Sequence, residues 1–194
     1  MPRHREFDQN KVLEQAMLLF WAQGYEATSI RDLTAATGIS SSSMYEVFGD
    51  KRRLYLTALE QYCGLERERI AQMAQQTATP QDFVHQLFAT VEVVTQPQMP
   101  TQGSMAFNAM VEFGTRDADV TRLLLAHYVH LAELIATVLA QAQHDHCIRT
   151  QEDPLHLAYT ILTTLQGLVT IKGVKPDFAY TQAIANLMLS LLER

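Results

Sequence analysis

The chain has 194 residues, 47% of them hydrophobic, with two cysteines and a formal net charge of −6. An apolar share at the globular average of about 45–50% excludes a disordered chain, and two cysteines are too few to staple this length as a disulfide scaffold. The size suits one or two small domains with a core that needs no metal support. The opening residues MPRHREFDQNK are basic with no apolar run behind them, so no secretory signal is expected and a cytoplasmic protein with reduced thiols is. Charge is uneven: residues 1–55 carry seven basic and seven acidic groups, and the whole net of −6 falls on residues 56–194. An acidic chain therefore still admits nucleic acid, with any basic footprint placed N-terminally.

Helical periodicity runs nearly throughout, with no strand-like alternation, no repeat and no low-complexity tract, which predicts an all-α fold of about nine helices. Asp8 caps the first helix, Phe7 and Val12 form a hydrophobic staple, and Gly24 ends it. Thr28 or Ser29 caps a short second helix with Ile30 and Leu33 inward and Gly38 as its stop. Ser40 caps a third, where Met44, Val47 and Phe48 share a face, and Asp50 caps a long fourth helix to about Gln76. Pro80 opens the fifth. The stretch 96–103 (QPQMPTQG) is the clearest loop, and a shorter helix follows to about Phe113. Asp117 or Asp119 starts a long helix to about Gln143, Asp153-Pro154 starts one ending at Gly173, and Asp177 is expected to cap the last. Residues 154–171 carry no Lys, Arg, Asp or Glu over 18 positions, the lower edge of a bilayer span, but a His, four Thr and a Gln among them point to a helix buried in protein and to no membrane.

The stretch from Thr28 to Phe48, TSIRDLTAATGISSSSMYEVF, places two short helices around Gly38-Ile39-Ser40. That is the helix-turn-helix arrangement, whose second helix enters the major groove. An apolar Ile39 inside the turn implies that the turn is packed. Ser40, Ser41, Ser42 and Ser43 put small hydroxyls at the start of the reading helix, where phosphate oxygens and base edges are within their chemistry. Tyr45 lies opposite Val47 and Phe48, and Lys51 opens the next helix; both suit phosphates. Arg3 and Arg5 precede the first helix, as a flexible arm able to enter a minor groove.

These residues carry a resemblance. Phe20-x3-Gly24-Tyr25-x2-Thr28-Ser29-Ile30, then Thr37-Gly38-Ile39-Ser40, then Met44-Tyr45-x2-Phe48-x2-Lys51-x2-Leu54 resembles the N-terminal third of the TetR family of bacterial transcriptional regulators. Residues 103–113 and the Ile161–Val169 region are similar to one branch of TetR-type ligand-binding domains. The resemblance implies a helix-turn-helix domain over 6–66 and a ligand-binding and dimerisation domain over 67–194. It implies a repressor acting as a homodimer on palindromic double-stranded operator DNA, released by a small-molecule effector in the C-terminal domain and without a cofactor. Thr28 or Ser29, Tyr45 and Lys51 match phosphate-contacting positions, with Arg31 on the same helix as Ser29's cap, and Ser41, Ser42 and Ser43 match base-facing ones. Relatives often carry Arg or Lys at the place of Ser41, and Glu46 stands where many have His or Tyr. Without Arg or Lys the reading helix lacks the bidentate guanine contact.

The 154–173 helix is apolar nearly all round except for a stripe of His156, Thr160, Thr163, Gly167 and Thr170 at heptad spacing. Small groups at that spacing permit close helix approach. With Ile184, Met188 and Leu191 of the last helix they are the expected dimer interface. Candidate effector contacts are Tyr62, Met105, Asn108, Phe113, Tyr128 and Gln166, apolar or aromatic groups with two amides. His144, His146 and Cys147 sit in a loop and do not close a metal site by themselves. Where some relatives carry a sensing cysteine after the glycine, this chain has Ser104, and Cys63 reads as an inert buried thiol. No Gly-rich phosphate loop, nucleophile elbow or HExxH is present, so an enzyme is not expected. The alternative is an α-helical carrier or enzyme using its N-terminal helices as scaffold; generic DNA at low salt separates the two.

Overall fold

The computed structural model describes residues 7–94, 103–175 and 177–193. Among them are nine α-helices and no strands: α1 Gln9–Gln23, α2 Ile30–Thr37, α3 Ser41–Phe48, α4 Lys51–Gln76, α5 Pro80–Val94, α6 Met105–Phe113, α7 Ala118–His144, α8 Pro154–Val174 and α9 Thr181–Leu192. Most starts are set by local chemistry. The Asp8 carboxylate accepts from the amides of Asn10 and Lys11, and Ser29 and Asp32 form a reciprocal capping box. Ser40, Asp50, Ser104, Asp117 and Asp153 cap the helices that follow them in the same way. Two expectations shift. The last helix begins at Thr181 with no side-chain cap, not at Asp177, and α8 runs to Val174. The loop expected at 96–103 and the arm of Arg3 and Arg5 lie outside the described residues, except for Gly103.

Two cores share one long helix. Ala16, Met17, Phe20, Leu33, Met44, Leu54, Tyr55, Ala58 and Leu59 join α1–α3 to the first half of α4. That core does not close on itself: Met105, Ala106 and Ala109 of α6 and Val120 and Leu124 of α7 complete it. The larger core packs α5, α7, α8 and α9 through Phe83, Val84, Leu87, Leu131, Ile135, Leu139, Ile161 and Leu165. Helix α4 passes unbroken through residue 66, where the two expected domains meet. Helices α7 and α8 are long and apolar enough to cross a membrane by length and composition alone, yet here their inner faces fill the larger core. One cation enters that core: Lys172 is buried and its Nζ donates to Glu92 Oε2 at 2.6 Å. Glu92 remains half in water, and the lysine's hydrogen bond holds its pKa below the usual carboxylate value.

Fully buried Ile135 should be costly to truncate. Ile135→Ala is expected to lose about 2–5 kcal/mol in urea unfolding. Val111→Ala, at a position 72% exposed, should stay within about 0.5 kcal/mol of the parent.

Candidate functional site

The turn between α2 and α3 is built as a rigid corner. Gly38 adopts φ +70°, a left-handed conformation that costs glycine nothing, and its N–H closes on Thr34 O. Ile39 is half-buried against the N-terminal core. Ser40 Oγ accepts from the Ser43 amide and shares hydrogen bonds with the Ser42 and Ser43 hydroxyls at 2.9 and 3.0 Å. Ser41 and Ser42 are exposed at the first turn of α3, Ser43 is half-buried, and Tyr45 is 49% exposed on the outer side. Arg31 is exposed on α2. Lys51 Nζ stands 4.2 Å from the centre of the Tyr25 ring, a cation–π contact that fixes its direction.

Two expectations on this surface change, for Thr28 and Val47, and of the two candidate caps of α2 it is Ser29 that serves. Thr28 is fully buried and its hydroxyl donates to Gly24 O at 2.6 Å, so it closes the α1–α2 loop and presents nothing outward. Ser29 is exposed, but its hydroxyl is bonded to Asp32 and serves the α2 cap. That same hydroxyl, by its hydrogen bond, holds the Asp32 pKa below the usual carboxylate value. Val47 is exposed and does not share the buried face of Met44.

The head is fastened to the body by contacts that sequence reading did not find. Glu112, near the end of α6, accepts from the backbone amides of Tyr25 at 3.0 Å and Glu26 at 2.8 Å. Gly24 beside them has φ +82°, and a Cβ there would lie 3.2 Å from Glu112 Oε2, so both conformation and space call for glycine. Phe113 stacks into a cluster with Tyr25 and Tyr55, ring centres 5.4 and 5.3 Å away. Arg52 forks onto Asp117 with two hydrogen bonds and reaches Asp119 at 2.7 Å. Those bonds hold both aspartate pKa values below the carboxylate range and raise that of Arg52. With lowered folded-state values, the clamp is fully present above the ordinary carboxylate pKa of about 4 and is lost only as pH falls through the lowered values. The hydrogen-bonded partners lie 65 to 87 positions apart in sequence, which no local pattern reports.

Behind this joint is a cavity of about 200 Å³. Its walls come from α1 (Met17, Trp21), α4 (Tyr62, Glu66), α5, α7 and α8 (Leu162, Gln166), with Gly103 and Ser104 at the start of α6. Of the expected effector contacts, Tyr62 and Gln166 line it. Met105 is buried in the N-terminal core, Phe113 belongs to the aromatic joint, and Tyr128 bonds Thr163 through its hydroxyl. Asn108 is exposed and borders an outer cleft with Phe107 and Val111. The Tyr62 hydroxyl donates to Ser104 Oγ at 3.3 Å, and burial raises its pKa. Trp21 was not expected at the site, because its place in the first helix marks it as scaffold.

The opposite side of α8 is open. His156, Thr160, Thr163, Gly167 and Thr170 are all exposed, flanked by Leu155 and Ile171. Thr160 and Thr170 donate their hydroxyls back to carbonyls of their own helix, which satisfies them without an outside partner. A Cβ on Gly167 would meet nothing within 4 Å inside the protomer. On α9, Ile184, Met188 and Leu191 are half-buried and Leu187 is 57% exposed.

Family comparison decides the class. Residues 12–58 match the family model for bacterial regulatory proteins of the tetR family, and residues 81–188 match the tetracyclin repressor-like C-terminal domain. The chain belongs to the TetR family. This TetR-family transcriptional regulator is 26% identical to the HTH-type transcriptional repressor ComR of Escherichia coli over 86% of the chain and 80% of ComR. It is 24% identical to the HTH-type regulator YezE of Bacillus subtilis over the full length of both. Among solved structures it is similar to a cysteine-substituted form of the TetR-family regulator CifR complexed with 26-bp operator DNA. That match has a TM-score of 0.83 and 25% identity over 98% of this chain and 99% of that one. Reduced NemR of Escherichia coli shares the fold at a TM-score of 0.86 with 13% identity, over 94% and 95% of the two chains.

Among the described residues, no group of three His, Cys, Asp or Glu could hold a metal. Cys63 is buried, and burial pushes its thiol up to about 12, whereas Cys147 is exposed. One thiol per chain of this TetR-family regulator should therefore label rapidly in the native state at neutral pH, and the second only on unfolding. On the DNA face, Lys51→Ala should weaken binding to all sequences alike and reduce the slope of log K against log salt by about 1. Fluorescence anisotropy with a labelled duplex at several salt concentrations measures both.

Proposed function

We propose that this regulator represses transcription as a homodimer seated on a palindromic operator, and that a small molecule filling the cavity beside Tyr62 and Gln166 releases it. It acts by binding and not by catalysis, in the cytoplasm. The reading rests on one connection. Helix α6 begins at the cavity with Ser104 and ends at the head with Glu112 on the Tyr25 and Glu26 amides. A ligand that fits the cavity better in one α6 position than another would change the head's placement, and only such differential affinity shifts the equilibrium. Ser41, Ser42, Tyr45 and Lys51 supply the surface toward DNA, and the absence of Arg or Lys from α3 favours readout by hydroxyls and shape over bidentate guanine contacts. The exposed stripe on α8 with the outer side of α9 supplies the second copy's contact.

Selection of random duplex DNA on purified protein, with light scattering for mass, tests the whole reading. The expected result is a palindrome with half-sites about 34–36 Å apart, or a multiple, bound by a dimer. No enrichment by protein that mass spectrometry shows to be ligand-free would overturn it, and a carrier would show no competition by generic DNA even at low salt. Gly167→Glu should give a monomer whose operator affinity is about 10²–10⁴-fold lower, because the two heads no longer act as one ligand.

A further inference from the structure

The cavity's polar groups are almost all committed. Tyr62 bonds Ser104, Ser104 caps α6, and Thr90 donates to Leu87 O. Glu66 accepts from buried His127 at 2.9 Å and lies 3.7 Å from the Arg69 guanidinium, so the two charges that border the cavity face one another. Among the described residues, two groups are left. Trp21 Nε1 and Gln166 Oε1 are both buried with no hydrogen-bond partner, and both residues line this cavity, from α1 and α8 respectively. A buried polar atom without a partner is costly, so two on one cavity describe a site awaiting complementary atoms. The indole N–H can only donate, whereas an amide offers either an oxygen or an NH₂. The remaining walls are largely apolar: Met17, Leu65, Ile70, Leu131, Leu162 and Val169.

We propose that this cavity takes a compact, uncharged, mainly apolar molecule carrying a carbonyl acceptor for Trp21 Nε1–H on α1 and an N–H or O–H donor for Gln166 Oε1 on α8, as a primary or secondary amide does. The proposal rests on the ligand-responsive reading above and adds to it the ligand's chemistry and a second point. Part of the effector site belongs to the DNA-binding head itself, because Trp21 lies on α1 and its ring packs edge-on to Tyr62 with centres 4.9 Å apart. A bound molecule thus joins a head helix directly to the helix that carries the proposed dimer face. Carboxylates and amines are disfavoured, since burying a charge here finds no unpaired counter-charge among the described residues that line the cavity.

Trp21 is the sole tryptophan, so the full-length protein gives a single indole N–H resonance that reports this site alone. The experiment is a titration of that resonance with a fragment panel in four size-matched classes: neutral ketones, lactones and amides; hydrocarbons; carboxylates; and amines. Binders are then measured by calorimetry against the parent, Trp21→Phe and Gln166→Leu, and tested for release of operator DNA. Neutral acceptors should shift the indole proton downfield and lose about tenfold in affinity in Trp21→Phe, and those that also carry an N–H should lose a similar factor in Gln166→Leu. Unliganded Gln166→Leu should melt no lower than the parent, because it removes an unmet polar atom. Binders drawn mainly from the charged classes, or an indole resonance that no class moves, would overturn the proposal. So would affinities indifferent to both variants, or a Gln166→Leu variant that melts well below the parent. The two readings fail separately. Operator release by molecules that leave the indole unmoved sinks this assignment alone, whereas acceptor binding at Trp21 with unchanged DNA affinity sinks the ligand-release reading alone.

Discussion

The rest of the structure depends on two backbone amides. Where α1 ends and the chain turns toward α2, the N–H groups of Tyr25 and Glu26 have no helical carbonyl to meet, and both find the Glu112 carboxylate. The Tyr25 donor is half-buried and must be paired within the protein, whereas the Glu26 amide lies at the surface. Tyr25 is paired by a helix that the chain reaches only 87 residues later. The head is thereby oriented by the body and is not a bead on a linker. Gly24 keeps the approach open, the rings of Tyr25, Tyr55 and Phe113 fill the space behind it, and Arg52 fixes the far side on Asp117 and Asp119.

That joint explains why the N-terminal core borrows residues from α6 and α7. The three short helices expose too little apolar surface to close alone; α2 and α3 have eight residues each and bury one side chain apiece, Leu33 and Met44. The missing area comes from Met105, Ala106, Ala109, Val120 and Leu124. A segment that recognises DNA is then stabilised by the part that surrounds the cavity. The geometry of one is a boundary condition on the other, without any need for a specialised pathway between them.

The helices and most of their caps were legible in sequence because capping is local: Asp8, Ser29, Ser40, Asp50, Asp117 and Asp153 each bond amides two or three residues on. Asp177 failed as a cap because the chain stays in turns until Thr181. Thr28 was misread for a physical reason: a hydroxyl next to an N-cap looks solvent-facing, but this one answers the carbonyl of Gly24. The cavity was half legible. Periodicity places Tyr62 and Gln166 on inward faces, but it does not say which neighbour each face meets. Met105 and Phe113 therefore went to the joint, Tyr128 to the outer edge of α8, and Asn108 to the exterior. Trp21 escaped notice because it lies on the first helix, within the expected DNA-binding domain, and nothing local shows that α4 and α8 meet it across the cavity. Arg52 and Glu112 were visible only as charges, and Asp117 and Asp119 only as helix starters, since nothing local pairs residues so far apart.

The Arg52 fork has a further consequence for how DNA binding would be read. Its guanidinium is 42% exposed and Asp119 is 44% exposed, so added salt weakens this clamp as it weakens any surface ion pair. The same ions displace the protein from phosphates. A titration with salt therefore acts on two equilibria at once, the release of counterions from the duplex and the slackening of the head on its mount. The apparent number of phosphates neutralised, taken from the slope, would then exceed the number touched, by an amount that belongs to the protein's own stiffness.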